Sequence, residues 1–353
     1  MPFKIIRNDI TKVKADAIVN TANPRPMYAS GTDKAIYMAA GADKLLEQRQ
    51  VIGNIARGEV AVTDAFQLDA KYIIHTVGPE WEDGYSGEFA ILESCYVKSL
   101  QKAVELKCNS IAFPLIATGV YGFPKDRALQ VAISVFSNFL MEHEMQIILV
   151  VFDKKSYQLS SELIGEVDSY IDSNYVKKRR FREYDRASST RVLSSYEEES
   201  VEYTRRFTPL KEDECSFEEP EDACKSILSM PASLEDELSN MGETFHEKLF
   251  QLIEAAGLDN KDVWKLANLD RKHFSKIQCD ANYHPKKKTV MALCIALKLD
   301  LEQAKDLMAR ADWAFSPSSK VDLIVQKAII DKKYDIMQLN LVLFEYTNET
   351  LGV

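Results

Sequence analysis

The sequence lacks paired cysteines, an excess of positive charge and any long apolar run, and each absence removes a class of protein. Its six cysteines, Cys95, Cys108, Cys215, Cys224, Cys279 and Cys294, form no CxxC pair, which suits reduced thiols better than a disulfide framework or a zinc site. His273, Cys279, His284 and Cys294 fit no common zinc spacing, so no metal and no cofactor are expected. Lysine and arginine number 44 against 54 aspartate and glutamate, a net charge of -10. No global basic field would draw in nucleic acid, and any such contact must be local. No apolar run reaches the roughly 20 residues that span a bilayer, and MPFKIIRNDI lacks the apolar core of a signal peptide. The expectation is a cytoplasmic protein with no membrane contact.

What is present is length enough, at 353 residues, for about two domains. From residue 1 to about 176 short β-branched runs alternate with longer helical patterns, the signature of a layered α/β domain with a mostly parallel sheet. FKIIR, AIVNT, VAVT, YIIHTV, SIAFPLI and QIILVVF read as buried strands, because they are near-continuous apolar runs rather than alternating ones. Between them, FAILESCYVKSLQKAVEL is expected to turn Leu92, Tyr96, Leu100 and Val104 to one face. KDRALQVAISVFSNFLMEH does the same with Leu129, Ile133, Phe136 and Leu140. Cys95 and Cys108 fall on apolar helical positions and read as core.

Residues 177–240 carry KKRRFREYDRASSTRVLSSYEEES and then KEDECSFEEPEDACK, dense in charge and poor in apolar side chains. Such a segment cannot offset its ordering entropy and is expected to be a disordered linker. The basic KKRRFR also suits a nucleic-acid contact. From 241 to 353 only amphipathic helices are expected. FHEKLFQLIEAAG gathers Phe245, Leu249, Leu252 and Ile253 and stops at Gly257; Asn260 can cap the next helix, and Asp270 can cap RKHFSKIQ, with Phe274 and Ile277 inward.

Two loops carry the chemistry. In VNTANPRPMYASGTDKAIYMAAG, residues 19–41, an apolar strand runs into two asparagines and two prolines, then a serine, a glycine and an aspartate that open a helical pattern. ATGVYGFP, residues 117–124, follows the strand SIAFPLI with Gly119 and Gly122 around an aromatic. Ligands of open α/β sheets bind beyond the carboxyl ends of the strands. Small residues let a backbone approach phosphate oxygens, and amides at a helix start supply donors. Two such loops can hold a diphosphate. Each also has a plainer reading: Asp33 as a first-turn carboxylate favoured by the helix dipole, Asn23 before Pro24 as a turn former, and His75 as a hydrogen-bonded strand histidine.

Taken together, RNDIT near the start, Asn23 ten residues before Asp33, the loop at 117–124 and VVFD at the last strand resemble the macro domain family. The resemblance implies a three-layer α/β/α fold and ADP-ribose, free or on a modified protein, as ligand. It implies that Asp9 accepts from the adenine amino group beside Ile10, and that Phe152 lies against the base. Ser30, Gly31 and Thr32, facing Gly119, Val120, Tyr121 and Gly122, would embrace the diphosphate. Asn23 would bond the distal ribose and Tyr121 stack near it. In the hydrolases of the family an aspartate placed like Asp33 helps hold a water near the anomeric carbon, so Asn23 and Asp33 are the candidate catalytic residues. The chain departs from those hydrolases in the run from Tyr28 to Lys34, poorer in glycine, and in Tyr37, which stands where they carry histidine.

The helices from about 245 to 308 resemble the helix-turn-helix of phage-repressor-type DNA-binding domains. That resemblance implies Arg271, Lys272, His273 and Lys276 as base or phosphate contacts, with Lys286, Lys287 and Lys288 near phosphates. A helical protein-interaction module with the same packing is an equal reading, since fold alone does not fix function. The apolar extension from residue 320 onward is expected to pack on this module or to mediate dimerisation. Three readings follow: an ADP-ribosyl ester hydrolase or O-acetyl-ADP-ribose deacetylase, a non-catalytic ADP-ribose reader serving as regulator or scaffold, and a DNA-bound repressor that senses a nucleotide metabolite.

Overall fold

The computed structural model describes residues 3–28, 30–152 and 243–352. The expected linker at 177–240, with Cys215 and Cys224, lies outside them. Two compact units are distinguished, one containing the sheet domain and the C-terminal helices, the other, Ile171–Thr244, almost wholly outside the described residues.

All six apolar runs form strands: β1 Phe3–Arg7, β2 Ala17–Thr21, β3 Val60–Asp64, β4 Tyr72–Thr76, β5 Ser110–Pro114 and β6 Gln146–Val151. They make one sheet in the order β1-β6-β5-β2-β4-β3, parallel throughout except for the antiparallel β3–β4 pair. β-branched side chains buried on both faces explain the uninterrupted runs. Ile18, Val19, Ile73, Ile74 and Ile111 have no exposed surface. β3 departs from that expectation: as an edge strand it is mostly half-exposed.

Helices α1 Gly31–Ala40 and α2 Ala42–Ile52 cover one face, where Ile36, Tyr37, Ala40 and Leu45 join Ile18, Ile73 and Ile148 in a core cluster. On the other face α3 Glu88–Glu105 and α4 Lys125–Glu142 bring Tyr96 and Phe136 onto Phe113 and Phe3, with ring centroids 5.0 to 5.8 Å apart. Leu92, Tyr96 and Leu100 are buried as expected, but Val104 is 39% exposed and Ala103 takes the inward place. The reason is the helical period: steps of four residues drift by about 40° each, so the third step leaves the buried face.

The C-terminal helices are α5 Phe245–Ala255, α6 Asn260–Leu266, α7 Arg271–Cys279, α8 Lys287–Ala296, α9 Leu301–Arg310, α10 Lys320–Ile330 and α11 Ile336–Thr347. Asp270 caps α7 through the Lys272 amide. The cap of α6 is Asp259, with Asn260 its first helical residue. α11 packs on α10 and α8 and also reaches β1 and α4.

The outer edge of β1 is closed by one side chain from this helical part. Asn268, just past α6, accepts from the Phe3 amide through Oδ1 at 2.7 Å and donates from Nδ2 to the Phe3 carbonyl at 3.0 Å. Its Nδ2 also donates to the Leu351 carbonyl at 3.2 Å, while Leu351 exchanges two bonds with the Asn340 side chain. The Asn268 side chain thus pairs the Phe3 amide and carbonyl as a neighbouring strand would, and Asn340 holds the Leu351 carbonyl that Asn268 also meets. Asn268 itself sits at φ 53°, a conformation that asparagine tolerates better than most residues.

Asn268→Ala is expected to destabilise the protein by about 3 kcal/mol, from the orphaned Phe3 amide and from the methyl group at positive φ. Asn268→Gly, which keeps the backbone at ease, should cost about 1 kcal/mol less. Urea unfolding measures both, and no loss in either would mean that Asn268 does not close the edge.

Candidate functional site

Going outward from the middle of the sheet, the chain leaves β2 toward β4 and leaves β5 toward β6. These neighbours are therefore the switch point, beyond whose carboxyl ends a crevice must open. A cleft of about 460 Å³ lies there. Thr21, Ala22 and Asn23 enter it from β2, Pro114, Leu115 and the residues from Ala117 to Tyr121 from the end of β5 and the loop beyond it, Val151 and Phe152 from β6, and Gly78 from beyond β4. Its other wall is Ser30, Gly31, Thr32 and Asp33, the N-terminal turn of α1.

Of the residues expected from sequence, Asn23, Ser30, Gly31, Thr32, Asp33, Gly119, Val120, Tyr121 and Phe152 line this one cleft. Asp9, Ile10 and Gly122 do not. Asp9 caps a short 3-10 turn, its Oδ1 accepting from the Thr11 amide and hydroxyl at 2.9 and 2.8 Å, and Ile10 is core. They lie close to the Phe152 end, since the Asn8 amide donates to the Val151 carbonyl. Gly122 closes the turn that presents Val120 and Tyr121, donating to the Gly119 carbonyl at 3.0 Å with φ 67°. Val120 and Phe152 are 85% and 70% exposed at the rim.

The Asn23 loop is held from behind. Its own Oδ1 accepts from the Arg25 amide at 3.1 Å, and the Pro24 carbonyl accepts from the Ile55 amide at 2.9 Å. Arg49, with no exposed surface, donates to the Gly53 carbonyl at 2.6 Å and toward the Asn23 carbonyl at 3.4 Å. Burial lowers its pKa, while nearby Tyr37 and Asp33 oppose that shift. Tyr37 bonds this guanidinium, and burial, then the Asp33 charge, push its phenol up to about 12.

The facing loop has its own support. Glu88 opens α3, and its Oε1 accepts from the amides of Glu82, Asp83 and Gly84 at 3.0 to 3.2 Å. Its own amide, then those of Gly84, Asp83 and Glu82, bring the carboxyl down to about 2. The loop so pinned carries Trp81, whose amide donates to the Tyr121 carbonyl at 2.8 Å and whose indole meets Phe89 and Phe123 edge-on. Arg57, paired with Glu80 at 2.9 Å, stands 6.0 Å over the Tyr121 ring.

Asp33 is 6% exposed and accepts from Asn20 Nδ2 at 2.8 Å. Asn20 Nδ2 also meets His75 Nδ1 at 3.1 Å, and His75 Nε2 meets the Thr63 hydroxyl at 2.9 Å. Burial first, then the Arg49 charge, push the His75 imidazole down to about 3. His75 is thus a neutral, hydrogen-bonded strand histidine. Asn20, Arg49, Glu88 and Lys125, the last lining the cleft at the start of α4, were not singled out from sequence, since their partners are brought to them by the fold.

The four basic residues of α7 do not reach this cleft. Arg271 pairs with Glu144 of the sheet domain at 3.7 Å, His273 is half-buried against the Tyr283 hydroxyl at 3.3 Å, and Lys272 and Lys276 are exposed. Lys287 is bound to Asp322, and Lys288 to Glu349 at 3.0 Å. Among the described residues no group of three His, Cys, Asp or Glu could hold a metal ion, and no helix is long and apolar enough to cross a membrane.

The fold and the paired loops define an α/β ligand-binding domain, and comparison with known proteins gives its family. The sequence profile of the macro domain matches residues 19–132. A macro domain-containing protein of Methanosarcina mazei is 42% identical over 167 residues, covering 47% of this chain and 89% of that protein. An O-acetyl-ADP-ribose deacetylase of Cronobacter sakazakii is 40% identical over 171 residues, covering 47% of this chain and 95% of that one. The Oceanobacillus iheyensis macrodomain solved with ADP is 36% identical, with a TM-score of 0.42 over 43% of this chain and 84% of that one. The chain belongs to the macro domain family.

The folded-state pKa of His75 lies below its ordinary value of 6.5, so as pH falls the unfolded chain takes up a proton that the folded chain refuses. This group's contribution is therefore lost progressively from pH 6.5 toward 3, at about 1.4 kcal/mol per pH unit. His75→Gln should flatten the stability profile in that window and run parallel to the wild type above it. Denaturation at several pH values checks this, and identical slopes below pH 6 would refute it.

Proposed function

We propose that the cleft binds ADP-ribose and hydrolyses its ester linkages, on modified carboxylate side chains or in O-acetyl-ADP-ribose. The observation that carries this reading is the meeting, in one cleft, of Asn23, Asp33 and the first turn of α1 with the loop of Gly119, Val120 and Tyr121. The relatives described as O-acetyl-ADP-ribose deacetylases, from Cronobacter sakazakii and Escherichia coli, support it.

The amides and dipole of the α1 start suit a diphosphate, and the open space where a Cβ would stand at Gly31 and Gly119 lets it come close. Exposed Phe152 offers an aromatic face to the adenine, with Asp9 near its amino group. With Asn23 Oδ1 on the Arg25 amide, the Nδ2 group is what Asn23 presents to the distal ribose. A water held by Asp33 adds to the anomeric carbon, the bond from that carbon to the acyl oxygen breaks, and the carboxylate leaves as its anion. The proton of the water passes to Asp33, with the diphosphate sharing the charge. For O-acetyl-ADP-ribose the water adds to the acetyl carbonyl carbon, the bond from that carbon to the ribose oxygen breaks, the ribose oxygen takes the proton the water gave up, and acetate is released. A carboxylate leaving group needs little acid assistance, so orientation of the water is the main demand on the site.

With protein automodified on glutamate or aspartate as substrate, Asp33→Ala should lower release of ADP-ribose by about 100-fold or more. Calorimetric affinity for ADP-ribose should change by less than about 10-fold. Binding without release by the wild type would replace the hydrolase with a reader; absence of binding would end both readings.

For the C-terminal helices we propose a cap on the β1 edge whose exposed Lys272 and Lys276 meet an acidic partner, with duplex DNA as the first to test. Arg271 is paired with Glu144, so α7 itself offers Lys272 and Lys276, with Lys286 exposed beyond it. If DNA is the partner, the logarithm of affinity falls with the logarithm of salt, and Lys272→Ala or Lys276→Ala each reduces that slope by about 1. Absent or salt-independent binding would point to a protein.

A further inference from the structure

Asn20 lies on β2 where the strand is wholly buried, directly across from His75 on β4 in the parallel register. Neither has any exposed surface. An amide at such a place costs about 1 to 3 kcal/mol unless it is paired, and an apolar residue would pack there as its neighbours Ile18 and Val19 do. Its Oδ1 is buried without a partner, so the amide is held for what its Nδ2 bonds.

The pairing has one consistent assignment of protons. An ionised carboxylate only accepts, so the group that Asn20 turns to Asp33 Oδ1, 2.8 Å away, is its Nδ2. The same Nδ2 donates its second hydrogen to His75 Nδ1 at 3.1 Å, which must be the bare nitrogen. The imidazole proton then resides on Nε2 and is donated to the Thr63 hydroxyl at 2.9 Å. Asn20 on β2 thus donates both ways, outward to the carboxylate in the cleft wall and inward to His75 on β4, which donates in turn to Thr63 on β3. Burial keeps the imidazole neutral, so Nδ1 stays an acceptor for the Asn20 amide.

We propose that Asn20, oriented by His75, is a positioning residue that fixes the Asp33 carboxylate in the cleft wall. The proposal rests on the reading of Asp33 as the residue that holds the water. Asn20 does not line the cleft and acts only through Asp33.

The test uses the full chain. Asn20→Leu, close to the same size, should lower kcat for ADP-ribose release by about 100-fold, since a displacement of about 1 Å has that effect. KM and the calorimetric affinity for ADP-ribose should stay within about three-fold, because the ligand contacts are untouched. His75→Gln, whose amide can accept from Asn20 and donate to Thr63, should retain turnover within about three-fold, whereas His75→Leu should lose about ten-fold. Nitrogen chemical shifts give a readout independent of turnover: of the five histidines, the one missing from the His75→Gln spectrum should carry its proton on Nε2 in the wild type. In Asn20→Leu it should move toward a mixture of tautomers.

A proton on Nδ1 of His75 in the wild type overturns the proposal, as does a folded Asn20→Leu that turns over like the wild type. A wild type that binds ADP-ribose without releasing it removes the hydrolase reading alone. The nitrogen shifts of the wild type and of Asn20→Leu then decide the positioning role by themselves.

Discussion

A polar group inside a parallel sheet must be paired from within, and the donation from Asn20 to Asp33 is the point at which this constraint meets the cleft. At the buried positions of β2 and β4 water is not at hand to satisfy an amide or an imidazole. Polar residues are consequently few in the core, and some bond the backbone, as Ser99 and Thr76 do, while others bond one another. Asn20, His75, Thr63 and Asp33 form a connected set across three strands. A low-dielectric setting strengthens each bond in it and penalises the loss of any one.

The same constraint explains the loops. A loop that carries binding residues has few apolar contacts of its own, and here each is anchored by a charged side chain drawn under it. Arg49 gathers the Asn23 and Gly53 carbonyls; Glu88 gathers three consecutive amides and thereby sets Trp81 and Tyr121. One cleft wall rests on a buried cation and the other on an almost wholly buried anion. Such anchoring holds loop geometry to the tolerance that orientation-dependent chemistry needs.

The elements of the sheet domain were legible in sequence because their signals are local: β-branched runs for the strands, i, i+4 rows for α3 and α4. The cleft-lining residues were legible because the two loops directly follow strand ends, and the family resemblance named them. What escaped was long-range. Nothing in the neighbourhood of Arg49 or Glu88 distinguishes it from a surface residue on a helix, and Asn20 is indistinguishable from a strand asparagine until His75 is brought beside it by the β2–β4 register. Val104 was misplaced because a row of i+4 steps is only an approximation to a 3.6-residue period. Composition also cannot report that Asn268, in the helices beyond residue 243, bonds Phe3.

That last contact spans 265 residues of chain. During synthesis β1 is made early, and the side chain that closes its edge is made only when most of the protein already exists. Until then the strand carries an amide and a carbonyl open to any other strand, and long-range closures of this kind form late. Completing the helical part supplies Asn268, and with it a partner for the Phe3 amide and carbonyl.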